Sequence, residues 1–410
     1  MRHQSEQEET MSKRYRVLFL IWLLQFVNYL DRVNISVAAP SMMKSLSIDT
    51  ASFGWVLAAF TVGYAIMQLP GGLLADKFGA KIMLVCAPLL WSVFTGLTGV
   101  VETTAALIVV RLCFGLAEGS SNAACYKLVG DYFTPRERAT ANSVWITALA
   151  LGPALVAPLA SWALRSVGWE RMFLLFSLPG ILLAAVLWFA MPSAPPKTPD
   201  HIDESHAAGW LWLLKRPGSW LLFFGYLTFN ICFWGFLGWM PGYLAIQRHL
   251  DLKALGYAAS IPYICGFAGI LTMGWLGSHA LYRFRGQMVA MAYLCAAGTL
   301  YMAYTSTDIL TCLIGLCCSA FFMYGGFGPY ASLALDLAPV RERAAFVGFV
   351  NTGGQIGGIT APVIVGYVVR TTGSFNGGFD LMVCALMASA ACYLALSYCM
   401  QPSTKIAVPV

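Results

Sequence analysis

Apolar runs of about 20 residues recur twelve times in the 410-residue chain, separated by short charged or Gly-, Pro- and Asn-containing turns. Their limits are close to 15–39, 51–75, 82–101, 104–129, 138–164, 171–191, 218–246, 254–277, 286–305, 308–335, 342–369 and 378–400. Such runs are each long enough to cross a bilayer as a helix, so the chain is expected to be an all-α integral membrane protein. Composition agrees: 59% of residues are hydrophobic and only 11% charged, with mean hydropathy +0.69, whereas soluble domains carry about 25% charged residues. Met1 to Arg16 is polar and the apolar stretch after it is too long for a signal peptide, so the first span is expected to be mature structure.

The one polar stretch inside the chain, Pro192 to Arg216, separates six spans from six. The expected organisation is a cytoplasmic tail (1–14), a six-helix half (15–191), a cytoplasmic linker (192–217), a second six-helix half (218–400) and a cytoplasmic tail (401–410). An internal repeat supports two halves, because Arg136-Glu137-Arg138-Ala139 recurs as Arg341-Glu342-Arg343-Ala344 before the fifth span of each. Twelve helices in two pseudo-symmetric halves form a transporter architecture whose binding site lies near the midplane between them. Most lysines and arginines fall on the side of the termini, which places both termini in the cytoplasm of a plasma (inner) membrane. The net charge of +6 therefore reports orientation in a lipid bilayer, and no nucleic-acid partner is expected. The twelve cysteines lie almost wholly in apolar runs without Cys/His metal spacing and read as small buried hydrophobes, so neither a metal nor a cofactor is expected.

Charges inside the spans carry the functional signal. Each costs roughly 2.5–3.5 kcal/mol at a helix centre, so those retained there mark a site. In the first span Gln25, Asn28, Tyr29, Arg32 and Ser36 form one helical stripe, with Asp31 about 100° round from Arg32. The two adjacent charges thus address different neighbours. In the fourth span Arg111, Gly115, Glu118, Asn122 and Cys125 form a second stripe. Arg32 suits a substrate carboxylate, because its planar fork binds one bidentately and stays ionised in a dry cavity. Asp31 and Glu118 are candidate proton carriers, with Arg111 as a switchable counter-charge.

The loop Gly71-Gly72-Leu73-Leu74-Ala75-Asp76-Lys77-Phe78-Gly79-Ala80-Lys81 resembles the signature between the second and third helices of the major facilitator superfamily. That resemblance assigns a cytoplasmic gate to Asp76, Lys77 and Lys81; Ser278 replaces the Asp in the second half. Tyr29-x-Asp31-Arg32, Arg111-x-x-x-Gly115-x-x-Glu118-Gly119 and Pro135-Arg136-Glu137-Arg138-Ala139 together resemble the anion:cation symporter branch. Members take up organic anions, among them sugar acids and aromatic acids, with protons or sodium. The resemblance further implies substrate contacts for Tyr29, Tyr64, Asn351 and Trp234. Trp145, Leu149 and Gly152 offer no amide or charge where sugar-acid carriers often match hydroxyls, which tilts the reading toward an aromatic or small organic acid.

The expectation is a monomeric importer coupling an organic anion to protons in preference to sodium, since the carboxylates pair with arginines and no sodium cage is evident. An efflux antiporter for a neutral or cationic compound would have no need of Arg32. A membrane sensor would require an added signalling domain. An enzyme is not expected, because no nucleophile-base pair, metal spacing or nucleotide loop occurs.

Overall fold

The computed structural model describes residues 2–133, 137–192, 217–337 and 343–400. The linker of residues 193–216 lies outside them, as does Arg136 of the first repeat tetrapeptide and Arg341 and Glu342 of the second. Every regular element among the described residues is helical, as lipid requires, since only helices and closed barrels satisfy each backbone group without water. The helices are α1 (Arg2–Ser45), α2 (Thr50–Phe78), α3 (Ala80–Thr98), α4 (Thr104–Tyr132), α5 (Arg138–Ile146), α6 (Ala148–Ala190) and α7 (Pro217–Ile246). After them come α8 (Leu252–Ser278), α9 (Arg285–Thr305), α10 (Ile309–Gly325), α11 (Phe327–Leu337), α12 (Arg343–Thr372) and α13 (Asn376–Met400).

Twelve spans map onto these helices with three adjustments. The expected fifth span is divided at Thr147 into α5 and the start of α6, and α6 goes on to carry the sixth span after reversing at Gly168, whose φ of 81° and ψ of 170° suit a residue without Cβ. The expected tenth span is divided into α10 and α11 around Gly326, which packs against the Tyr293 ring. Among the described residues ten stretches meet the hydropathy expected of a membrane crossing, one of them, Val144–Ala190, running through the fifth and sixth spans. The first span stands apart from these because Gln25, Asn28, Asp31, Arg32, Asn34 and Ser36 are all buried within it.

Packing displays the expected two-fold relation. Within the first half α2 lies along α4, and backbones touch because Gly63 meets the Leu112 carbonyl while Gly115 meets that of Phe60. Between halves α2 packs on α12, α6 on α8 and α1 on α7. These are spans 2 with 11, 5 with 8, and 1 with 7, the pairs that an axis exchanging each span with its counterpart six later would generate.

The halves are sealed at the end away from the chain termini. There Thr50 Oγ1 donates to the Gly366 carbonyl at 2.9 Å, Ser260 Oγ donates to that of Ala154 at 2.7 Å, and Gly54 lies against Pro362. Toward the terminus-bearing end, Tyr126 of α4 is 51% exposed although Tyr64 and Tyr226 of the facing walls act on it. It therefore lines a vestibule between the halves. One expectation is corrected here: Cys86, Cys384 and Cys399 are exposed. A thiol is apolar enough to face lipid, so its place in an apolar run does not imply a protein interior.

Candidate anion site between the halves

The stripe of α1 faces α2, α4 and α7 across the centre of the molecule, and its charges find partners on α4. Arg32 forms an ion pair with Glu118 through Nη2 and Oε1, with both side chains nearly inaccessible. The same guanidinium donates from Nη1 to Tyr29 Oη at 3.2 Å and from Nη2 to Asn28 Oδ1 at 3.4 Å. Four rings surround it, with Cζ 4.4 Å from the centroid of Tyr29, 4.9 Å from Phe60, 5.2 Å from Tyr64 and 5.4 Å from Trp234. Ring faces attract a cation, so this cage orients the Arg32 guanidinium.

Asp31 points elsewhere, as its position on the helix requires. It is buried, and the charge that acts on it is that of Arg111. Arg111 stacks on Phe114 at 4.7 Å and approaches Phe60 at 5.3 Å. Phe60 therefore adjoins two guanidinium groups, one paired with Glu118 and the other acted on by Asp31.

A narrow cavity of about 20 Å³ opens beside both arginines, lined also by Ser36, Thr61, Phe60, Trp234 and Pro362. It has room for about one water rather than for a hexose-sized acid, so this conformation is collapsed around Arg32. Its wall combines apolar and ring surface with convergent charge, the chemistry of a site for a small organic anion.

Polar side chains continue toward the vestibule. Gln25 Nε2 donates to Asn122 Oδ1 at 2.6 Å, and Asn122 Nδ2 donates to Tyr64 Oη. Asn351 of α12 donates from Nδ2 to Gln68 Oε1 of α2 at 3.1 Å, a bond between the two halves. Trp234 packs against Gly358, whose hydrogen leaves space for the indole where a Cβ would collide. Thus Asp31, Arg32, Arg111, Glu118, Tyr29, Tyr64 and Trp234 gather in one cluster, with Asn351 at its edge, where it bonds α2. Gly152 serves this cluster too, because it lets α6 rest on Tyr29.

The residues expected at a gate are separate. Lys77 is exposed at the end of α2, and Lys81 Nζ sits 5.9 Å from the Trp188 ring. The side chain of Asp76 lies outside the described residues. Two bonds at this end were not anticipated: Lys127 Nζ donates to the Ala75 carbonyl at 3.0 Å, and Arg14 pairs with Glu137 at 3.0 Å. Glu137 belongs to the repeated tetrapeptide, and that repetition is the signal that could have singled it out.

Comparison with known proteins agrees with this architecture. Residues 21–362 match the Major Facilitator Superfamily. A protein of Escherichia coli strain K12 named as a probable galactarate/D-glucarate transporter is 29% identical over 436 residues, covering 95% of this chain and 96% of that one. A Bacillus subtilis strain 168 protein bearing the same description is 30% identical over 424 residues, covering 94% and 92%. Among solved structures, a bacterial homologue of the human lysosomal transporter Spinster, inward-facing and unoccupied, superposes with a TM-score of 0.78 at 18% identity, covering 94% of this chain and 97% of that one.

Proposed function

The chain belongs to the Major Facilitator Superfamily, a family of transporters rather than enzymes, and from that premise we propose that it imports an organic anion by proton-coupled symport with alternating access. The bacterial relatives favour an inner-membrane location, and the distribution of lysines and arginines favours both termini in the cytoplasm. The observation that carries the reading is the Arg32–Glu118 pair inside its cage of rings. A free guanidinium there would bind a carboxylate bidentately, and Glu118 now occupies that place.

Coupling follows from competition for one arginine. When Glu118 takes a proton it surrenders Arg32, and an anionic substrate replaces it between Tyr29, Tyr64 and Trp234. Asp31 and Arg111 form the second switchable pair beside the same Phe60 ring. Proton loss to the cytoplasm restores the internal pairs and expels the anion. The substrate is a carboxylate, sugar acid or aromatic acid, and the ring-lined wall favours a body less polar than a polyhydroxylated chain.

Thermal unfolding of the purified protein with galactarate, D-glucarate, D-glucuronate and benzoate tests the reading. An organic anion present at 100 times its dissociation constant adds about 2.7 kcal/mol of stability. Stabilisation by organic cations alone would overturn it. In proteoliposomes, Asp31→Asn and Glu118→Gln are expected to abolish accumulation driven by a pH gradient while counterflow survives. Full gradient-driven accumulation in both variants would refute the proton-carrier assignment.

A further inference from the structure

Behind Asp31, on the side of α1 turned away from the cavity, polar side chains meet inside the first half without direct partners. Asp31 Oδ2, both side-chain atoms of Asn34, Ser92 Oγ, Thr95 Oγ1 and Arg111 Nε are all buried and lack a hydrogen-bond partner, and Trp91 Nε1 approaches Asp31 without meeting strict hydrogen-bond geometry. Each of these residues is 3% exposed or less. Four of them adjoin, and helix periodicity places the other two one turn further on. Trp91 and Arg111 are the groups that act on Asp31, and Trp91 Nε1 and Ser92 Oγ both lie against Gly180 of α6. Thr95 is one turn beyond Trp91 on α3, and Asn34 is one turn beyond Asp31 on the parallel α1.

One unpartnered buried polar group is tolerable, but five residues' worth at one place would cost several times the desolvation penalty of a single group. A shared internal ligand removes that cost. Its chemistry is set by the groups that face it: Trp91, Arg111 and the Asn34 amide donate, Asp31 and the Asn34 carbonyl accept, and the two hydroxyls do either. A metal cation is excluded by the indole N–H and the guanidinium, which cannot ligate one. An anion is excluded by the Asp31 carboxylate. Water meets every requirement.

We propose that the first half encloses a hydrated compartment behind α1, bounded by Asn34, Trp91, Ser92 and Thr95, through which Asp31 exchanges its proton separately from the substrate cavity. Arg111 is the wall between the two, since it lines the cavity and acts on Asp31. Asn34, Trp91, Ser92 and Thr95 are positioning residues, holding waters on the carboxyl group without touching substrate. The charged groups facing Asp31 are Arg111 from α4 and, through Arg111, Arg32; α3 and α6 contribute Trp91, the two hydroxyls and Gly180. The inference rests on the reading that Asp31 carries a proton.

Two measurements on the full-length purified protein test it without any substrate. Ser92→Ala and Thr95→Val remove hydroxyls at nearly constant shape. If the hydroxyls hold water, both variants melt at lower temperature than wild type, and Thr95→Ser recovers the loss; if they are dry and orphaned, both melt at the same temperature or higher, which overturns the compartment. Infrared difference spectra between acid and alkaline buffers then read the carboxyl band that Asp31→Asn deletes. That band is expected to shift in Thr95→Val and Trp91→Phe and to exchange rapidly in heavy water. A band of unchanged frequency, or one that resists exchange, would refute the hydration of Asp31. Were wild type to lack the band altogether, the proton-carrier reading would fall, while the melting comparison would still decide whether the compartment is wet.

Discussion

Glu118→Gln separates a permanent strut from a switch. Removing one partner of a buried ion pair costs about 3–5 kcal/mol, because the survivor is left uncompensated. Here the survivor is Arg32, 7% exposed. Glutamine keeps the volume and an oxygen acceptor for Nη2, and the four rings remain in place, so the lower figure of about 3 kcal/mol applies. Wild type must give up that same interaction before an anion can take Arg32. Its affinity under alkaline conditions is then lowered by the fraction of molecules with a free arginine, roughly 100-fold for 3 kcal/mol. Glu118→Gln is therefore expected to melt earlier when empty, to bind the substrate anion about 100-fold more tightly than wild type at alkaline pH, and to lose the pH dependence of binding. Calorimetric titration across pH, alongside unfolding with and without anion, measures all three. A variant that melts as wild type does and still binds more weakly as pH rises would refute the competition between Glu118 and substrate.

Arg32→Lys keeps the charge but loses the fork and its stacking, so anion affinity should fall at least about tenfold in the same titration, with a wild-type affinity counting against a bidentate contact. Gly115→Ala places a methyl against the Phe60 carbonyl where α2 and α4 touch; the melting curve should show a loss of about 1–3 kcal/mol. At the sealed end, Asp49 accepts the Ser52 amide at 2.9 Å and caps α2. Asp49→Ala should cost about 1 kcal/mol. The Ser52 amide, helped by Arg370, holds the Asp49 carboxyl below its ordinary value. The cap therefore contributes fully at neutral pH, and its contribution is lost as pH falls through that depressed value. The melting difference between wild type and Asp49→Ala should shrink correspondingly in acid.

Run length and charge scarcity made the fold readable. Lipid leaves the backbone one economical solution, so counting apolar stretches approximates counting helices. What the runs could not show was where a helix is broken. Gly168 turns the chain where Arg165, Ser166, Glu170 and Arg171 mark the boundary between the fifth and sixth runs, but the breaks at Thr147 and Gly326 fall inside apolar runs. Those two junctions depend on backbone geometry, to which an apolar count is blind. The cysteines were misplaced for a related reason, since in a bilayer an apolar side chain has two places to go.

Angular position on α1 was enough to predict that Asp31 and Arg32 diverge, because it is a property of one helix. Which carboxylate each arginine meets is a property of two. That choice is fixed by the depth at which α4 lies against α2, and Gly63 and Gly115 set that approach by letting carbonyls touch Cα atoms. The same packing brings Phe60 against both Arg32 and Arg111, so two like charges meet at one ring. A proton added to either carboxylate therefore changes the field at a single ring shared by both arginines. That arrangement couples Asp31 to the substrate place on Arg32 without requiring the two neighbouring side chains to touch.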